Sequence, residues 1–123
     1  MGEGLFITNR YHAFEKAEKA GLCSLGLHPW YITADGIEPE LVQLEKYASL
    51  QNVVGIGECG LDKLTKTDWV LQEDAFRRQI RLANKLHKPL IIHCVRAYDE
   101  VLQILKQELV AVPVIFHGFN KNM

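Results

Sequence analysis

Four apolar runs of this chain each end on an ionisable side chain able to ligate a metal. They are Ser24-Leu25-Gly26-Leu27-His28, Val53-Val54-Gly55-Ile56-Gly57-Glu58, Leu90-Ile91-Ile92-His93 and Val114-Ile115-Phe116-His117. A polar group directly after a buried strand lies at that strand's C-terminal end. In parallel α/β folds ligands bind at this edge, because the loops there vary while the sheet holds them rigidly. Three imidazoles and a carboxylate brought to one edge have the composition of a hydrolytic metal site. Glu58, His93 and His117 supply one carboxylate and two imidazoles, a ligand set suited to zinc or manganese with positions left for water.

Bringing these residues together requires strands to alternate with helices, and the pattern does so. Leu5-Phe6-Ile7 reads as a weak first strand. Asn9 is placed to cap a short helix with Tyr11, Phe14 and Ala17 on its apolar face and Gly21 just past its end. A second helix has Pro39 near its start and Leu41, Leu44, Tyr47 and Ala48 on one face. Asp68 suits the N-cap of the longest helix, with Phe76, Ile80, Ala83 and His87 on one side and Arg77, Arg81 and Lys85 on the other. Pro89 stops it, and a fourth helix from about Ala97 to Leu109 buries Tyr98, Val101 and Leu105. The order β-α-β-α-β-α-β-α-β predicts an α/β fold whose five parallel strands follow chain order.

Strict alternation places His28, Glu58, His93 and His117 on one face, with Gly26, Ile56, Ile91 and Ile115 a layer below them. Leu27, Ile92 and Phe116 then point the other way. Both faces are apolar under a polar rim, as in a doubly covered sheet or the packed interior of a barrel.

The 123 residues make one domain, about half of the ~250 that a complete α/β barrel needs. A net charge of −1 gives no electrostatic case for a general nucleic-acid or membrane surface. No apolar run approaches a membrane span, and the first residues lack a signal-peptide pattern. Cys23, Cys59 and Cys94 are odd in number and scattered, which predicts reduced thiols and a cytoplasmic location. Cys59 and Cys94 each follow a candidate ligand by one residue and so should face the helices.

The segments SLGLHPWYI, VVGIGECGLDK, PLIIHCVRAYDEVL and VIFHGF, in this order, resemble the TatD family of metal-dependent hydrolases. The resemblance runs from about Cys23 to the C-terminus. It implies a partial (β/α)8, TIM-type barrel of about five strands, and metal-dependent hydrolysis of phosphodiesters at DNA 3′ ends. The family holds up to two divalent ions, zinc, magnesium or manganese. One sits on an N-terminal His-x-His, a shared Glu and a late Asp, and the other on the shared Glu and two His. Carried over by motif, the shared Glu is Glu58, the two His are His93 and His117, and His28 lies near the substrate phosphate. No His-x-His stands near the start, where His12 lies between Tyr11 and Ala13, and Met123 comes before the late Asp. The expectation is one partial domain over residues 1–123 without the His-x-His strand and the last strands. It would bind one ion and show weak or absent nuclease activity alone, and its open apolar face would drive self-association. The alternative is a non-catalytic fragment that pairs with another chain. A nucleotide-binding doubly wound fold lacks its glycine fingerprint here.

The remaining chemistry-bearing residues have plainer readings. Asp62, in the turn Gly60-Leu61-Asp62, either orients a ligand or stabilises that turn. Arg96, three residues past His93, is a candidate for substrate phosphate, with an exposed arginine near a helix start as the plainer reading. Trp30 is either a packing residue or a platform for a base at the mouth of the site. His12 reads as a surface residue and His87 as a helix-dipole partner.

Overall fold

The structure, a computed structural model, describes residues 7–117. Five strands, β1 (Thr8–Arg10), β2 (Cys23–Leu25), β3 (Val53–Asp62), β4 (Leu90–Val95) and β5 (Val114–Phe116), form one sheet in the order of the chain. Every neighbouring pair is parallel. Among the described residues the sheet is open, with β1 and β5 as its edges, consistent with part of a barrel. Three helices join the strands: α1 (Ile37–Ala48), α2 (Trp69–Leu86) and α3 (Tyr98–Gln107). Two 3-10 segments, Phe14–Lys19 and Pro29–Tyr31, fill the shorter connections.

Each helix buries the stripe its spacing dictates. In α1 Ile37, Leu44 and Ala48 are buried, in α2 Ala75, Phe76, Ile80, Leu82 and Ala83, and in α3 Val101, Ile104 and Leu105. α1 touches α2 and α2 touches α3, so they make a continuous layer. That layer packs on Ile56, Cys59, Leu61, Leu90, Ile92 and Cys94 of the sheet, all buried. Asp68 caps α2 as its position suggests, accepting the Leu71 amide at 3.3 Å. His87 lies past the last turn, at a left-handed C-cap with φ 56°, with Pro89 following before β4.

Several details depart from the sequence reading. β1 starts at Thr8, while Leu5 and Phe6 lie outside the described residues. Asn9 is a strand residue and caps nothing, since the following 3-10 segment begins at Phe14 with Ala13 before it. Tyr98, the first residue of α3, is 40% exposed and not buried, although its ring lies 5.9 Å from that of Phe116. Arg77 and Arg81 do lie on the outer surface, but both bind Glu108, at 3.0 and 2.7 Å. Such pairs add only ~0–1 kcal/mol each.

The main correction concerns β3. Strict alternation puts Ile56 beside Ile91, whereas Ile56 is in register with Leu90 and faces the helices. Gly57 takes the place beside Ile91, and the register then shifts between Gly57 and Cys59. One extra residue, Glu58, is inserted there, and such a bulge reverses the facing of everything beyond it. Cys59 therefore lies beside Ile92 on the helix side, as expected of that thiol, and Gly60 lies beside His93. The rim-facing layer is Gly57, Ile91 and Ile115, not Ile56, Ile91 and Ile115.

Glycine is what lets β3 take this path. Gly60 has φ +146°, and a Cβ there would run into the His93 carbonyl oxygen, a backbone atom that cannot swing aside. A Cβ at Gly21 would meet nothing within 4 Å. Gly60→Ala is expected to cost about 2 kcal/mol or more, and Gly21→Ala less than about 0.5 kcal/mol. Urea unfolding of the two variants checks this, and equal costs would contradict the bulge as described.

Candidate metal centre

His28 and His117 follow β2 and β5, but Glu58 and His93 lie inside their strands and do not close them as the sequence suggests, since β3 runs on to Asp62 and β4 to Val95. Glu58 projects from the bulge of β3, the middle strand, and is 5% exposed. A carboxylate so buried needs donors around it. His117, directly after β5, touches Glu58 Oε2 through Nδ1. His28 Nε2 stands 3.6 Å from Oε1, and His93 Nδ1 stands 3.9 Å from the same oxygen. Glu58 and the three sequence-predicted histidines thus meet at one point, and His28, Glu58 and His93 offer ligand atoms within 4.8 Å of one another. Burial pushes the Glu58 carboxyl upward, but the His28 and His117 imidazoles outweigh it and hold it below the ordinary 4.5.

The hydrogen bonds of each imidazole decide what it can do. His93 Nε2 faces Asp62 Oδ2 at 2.8 Å, so the N–H belongs on Nε2 and the Nδ1 lone pair is left toward Glu58. That is the orientation a ligating histidine needs, with a carboxylate behind it raising its basicity. His28 is opposite in sense. Its Nδ1 accepts the Trp30 amide at 3.2 Å, which leaves the proton on Nε2, the atom nearest Glu58. A protonated nitrogen donates to an anion and does not ligate a cation. His117 Nδ1 likewise meets Glu58 Oε2 as a donor, so a cation held there would have to replace that proton. The groups gathered around Glu58 are His93, His28 and His117, of which His28 and His93 stand close enough to share an ion with it.

Asp62 both closes a turn and holds His93. Its Oδ1 accepts the Leu64 amide at 2.8 Å, closing the turn after β3, while Oδ2 accepts Trp30 Nε1 at 2.7 Å besides His93. Burial raises its carboxyl pKa, and the hydrogen bonds from His93, Trp30 and Leu64 more than reverse this, leaving it below the ordinary 3.8.

Two further residues at the site escaped the sequence reading. Asn9 Nδ2 donates to Glu58 Oε2 at 3.3 Å, and the fully buried Ser24 donates to Asn9 Oδ1 at 2.5 Å, fixing which way the amide points. Tyr11 interacts with Asn9 and Glu58, and its ring lies 5.0 Å from that of His28. Burial and then the Glu58 charge raise its phenol pKa, so it stays a neutral donor beside that carboxylate. Asn9 sits in the middle of the short polar strand Thr8–Arg10, whose sequence gives little sign of a strand. Arg96 is exposed, with a left-handed φ of 54°, and makes no hydrogen bond or ion pair among the described residues. His12 is exposed, its ring 5.0 Å from that of Tyr31, and has no part in the cluster.

The backbone around the cluster is held by two buried glutamines seven residues apart on α2. Gln79 Oε1 accepts the Leu27 amide at 2.8 Å and its Nε2 donates to the Leu27 carbonyl at 3.3 Å. Gln72 does the same for Asp62, at 2.8 and 3.2 Å. One helix face thereby fixes the segments that carry His28 and Asp62.

Comparison with known proteins agrees with this geometry. The family described as TatD related DNase matches residues 5–123. An uncharacterized metal-dependent hydrolase of Buchnera aphidicola subsp. Baizongia pistaciae is 36% identical over 112 residues, which are 89% of this chain and 42% of that protein. The 3′-5′ ssDNA/RNA exonuclease TatD of Yersinia pseudotuberculosis is 35% identical, over 86% of this chain and 42% of its own length. Among solved structures, the TatD homolog YJJV of Escherichia coli K12 superimposes with a TM-score of 0.81 at 27% identity, over 95% of this chain and 49% of that one. The chain thus spans less than half the length of these relatives. With sequence, fold and a Glu/His cluster in agreement, the chain belongs to the TatD-related DNase family.

Proposed function

We propose that this chain carries a divalent-cation site for phosphodiester hydrolysis at the 3′ ends of DNA, with Glu58, His93 and His117 as its ligands. The observation that carries the reading is the buried Glu58 carboxylate with His93 and His117 turned toward it. A zinc, magnesium or manganese ion bound there would polarise a phosphoryl oxygen and make water more acidic. Glu58 is the catalytic residue, held in place by Asn9. Asp62 orients His93. His28, with its proton on Nε2, donates to an anionic substrate oxygen, and Arg96 adds positive charge at the same rim. The family name and the exonuclease activity of the Yersinia relative support a nucleic-acid substrate.

The test is release of nucleotides from single-stranded oligonucleotides with each cation added in turn. Slow, cation-dependent release is expected, and Glu58→Gln and His93→Ala should each abolish it. Release that survives EDTA or either substitution would refute the assignment.

Acid unfolding probes the Asp62–His93 contact. Glu58 and Asp62 have folded pKa values below the ordinary 4.5 and 3.8, so their stabilisation is complete above those values and is lost as pH falls through the lower, folded ones. In EDTA, Asp62→Asn should be less stable at neutral pH and show a shallower loss of stability toward acid. An unchanged acid limb would mean that Asp62 is not held in that pair.

Compartment and assembly complete the proposal. Three buried free thiols suit a reducing cytoplasm, and no helix among the described residues is long and apolar enough to cross a membrane. Ile115 is 50% exposed on the rim-facing side of β5, an edge strand, which favours self-association. Sedimentation across a wide concentration range should show dimers or larger species, and a monomer throughout would exclude them.

A further inference from the structure

Trp30, Asp62, Leu64, Thr65 and Val95 line a cleft of about 410 Å3 beside His93. Its size falls within the ~300–1,000 Å3 of small-ligand pockets. Two of its walls are large apolar side chains left open to solvent, Trp30 at 51% and Leu64 at 67% exposure. Trp30 is nevertheless held firmly. Its indole N–H donates to Asp62 at 2.7 Å, and its ring lies 4.6 Å from that of His28 and 5.3 Å from that of His93. A half-exposed aromatic ring already fixed in place loses little freedom when a ligand stacks on it.

We propose that this cleft is a nucleobase subsite, in which the terminal base of a single-stranded nucleic acid stacks on Trp30. The proposal rests on the hydrolase reading above and names the part of the substrate that the reading leaves unplaced. Asp62 ties the two together, because one oxygen, Oδ2, accepts both the Trp30 indole and His93. A base on Trp30 therefore sits at a fixed offset from the Glu58 cluster, which positions the adjoining phosphodiester there.

The cleft is also built to ignore base identity. Asp62 already accepts three hydrogen bonds, two on Oδ2 and one on Oδ1, so this carboxylate has little acceptor capacity left for a base edge. The Thr65 hydroxyl is the other polar side-chain group in the lining. Recognition then comes from stacking, which every base can provide. The site distinguishes a base from no base, and purine hardly from pyrimidine.

The experiment uses the full chain in EDTA and short single strands that differ only in the 3′-terminal residue: thymidine, deoxyadenosine or an abasic tetrahydrofuran. Affinity is read by anisotropy, and Trp30 emission in a Trp69→Phe background. The thymidine and deoxyadenosine ends should bind about tenfold more tightly than the abasic end and within about threefold of each other. Both should quench Trp30. Trp30→Phe should keep most of the preference, while Trp30→Ala and Leu64→Asp should remove it. Equal affinity for all three ends, or Trp30 emission that never changes, overturns the subsite. If cation-dependent hydrolysis then proceeds equally on base and abasic ends, the subsite fails and the hydrolase reading stands. A base preference without any hydrolysis keeps the subsite and removes the hydrolase reading. No binding and no hydrolysis would end both.

Discussion

A carboxylate buried at the bulge of the central strand is the constraint around which this molecule is arranged. Glu58 lies in the middle strand of the sheet and is almost wholly withdrawn from water. An ionised group in that position needs positive or hydrogen-bonding partners, and each of the other four strands supplies one: Asn9 from β1, His28 after β2, His93 from β4 and His117 after β5. Parallel strands about 4.8 Å apart, running in one direction, are what allow five separate pieces of chain to deliver polar side chains to one point. The helices have a different task. They cover the other face with apolar side chains, and α2 adds two buried glutamines that hold the backbone beside His28 and Asp62.

Around Glu58 the hydrogen bonds sort chemically similar groups into different roles. His28 and His93 carry their protons on the same named nitrogen but for opposite purposes. In His93 the proton is bound by Asp62 and the lone pair faces Glu58, while in His28 the lone pair is taken by a backbone amide and the proton faces Glu58. One arrangement suits a cation and the other suits an anionic oxygen. Asp62 extends the same logic outward, since it fixes His93 on one side and the indole of an open cleft on the other.

Much of this was legible in the sequence. The apolar runs before His28, Glu58, His93 and His117 marked four strands and their parallel direction, although β3 and β4 continue past Glu58 and His93 to Asp62 and Val95. Asn9 and Tyr11 were misread because Thr8-Asn9-Arg10 is short and polar, and its strand character comes from pairing with β2. The facing of Ile56 was misread because alternation assumes an unbroken period of two. Gly55, Gly57 and Gly60 within one strand were the available warning, since glycine there marks bulges and close backbone approach. Gln72 and Gln79 carried no such mark, because a polar residue on a helix reads as solvent-facing until the loops it binds are known.

The central claim is that Glu58, His93 and His117 converge to hold one divalent cation. Anomalous diffraction from crystals soaked in zinc, recorded at the zinc edge, tests it most directly. The account predicts one strong peak about 2.0–2.2 Å from a Glu58 oxygen, His93 Nδ1 and a His117 ring nitrogen. His28 should remain on the Trp30 amide, outside bonding distance. A peak ligated by His28 in place of His117, or zinc bound only at sites away from Glu58, would contradict it.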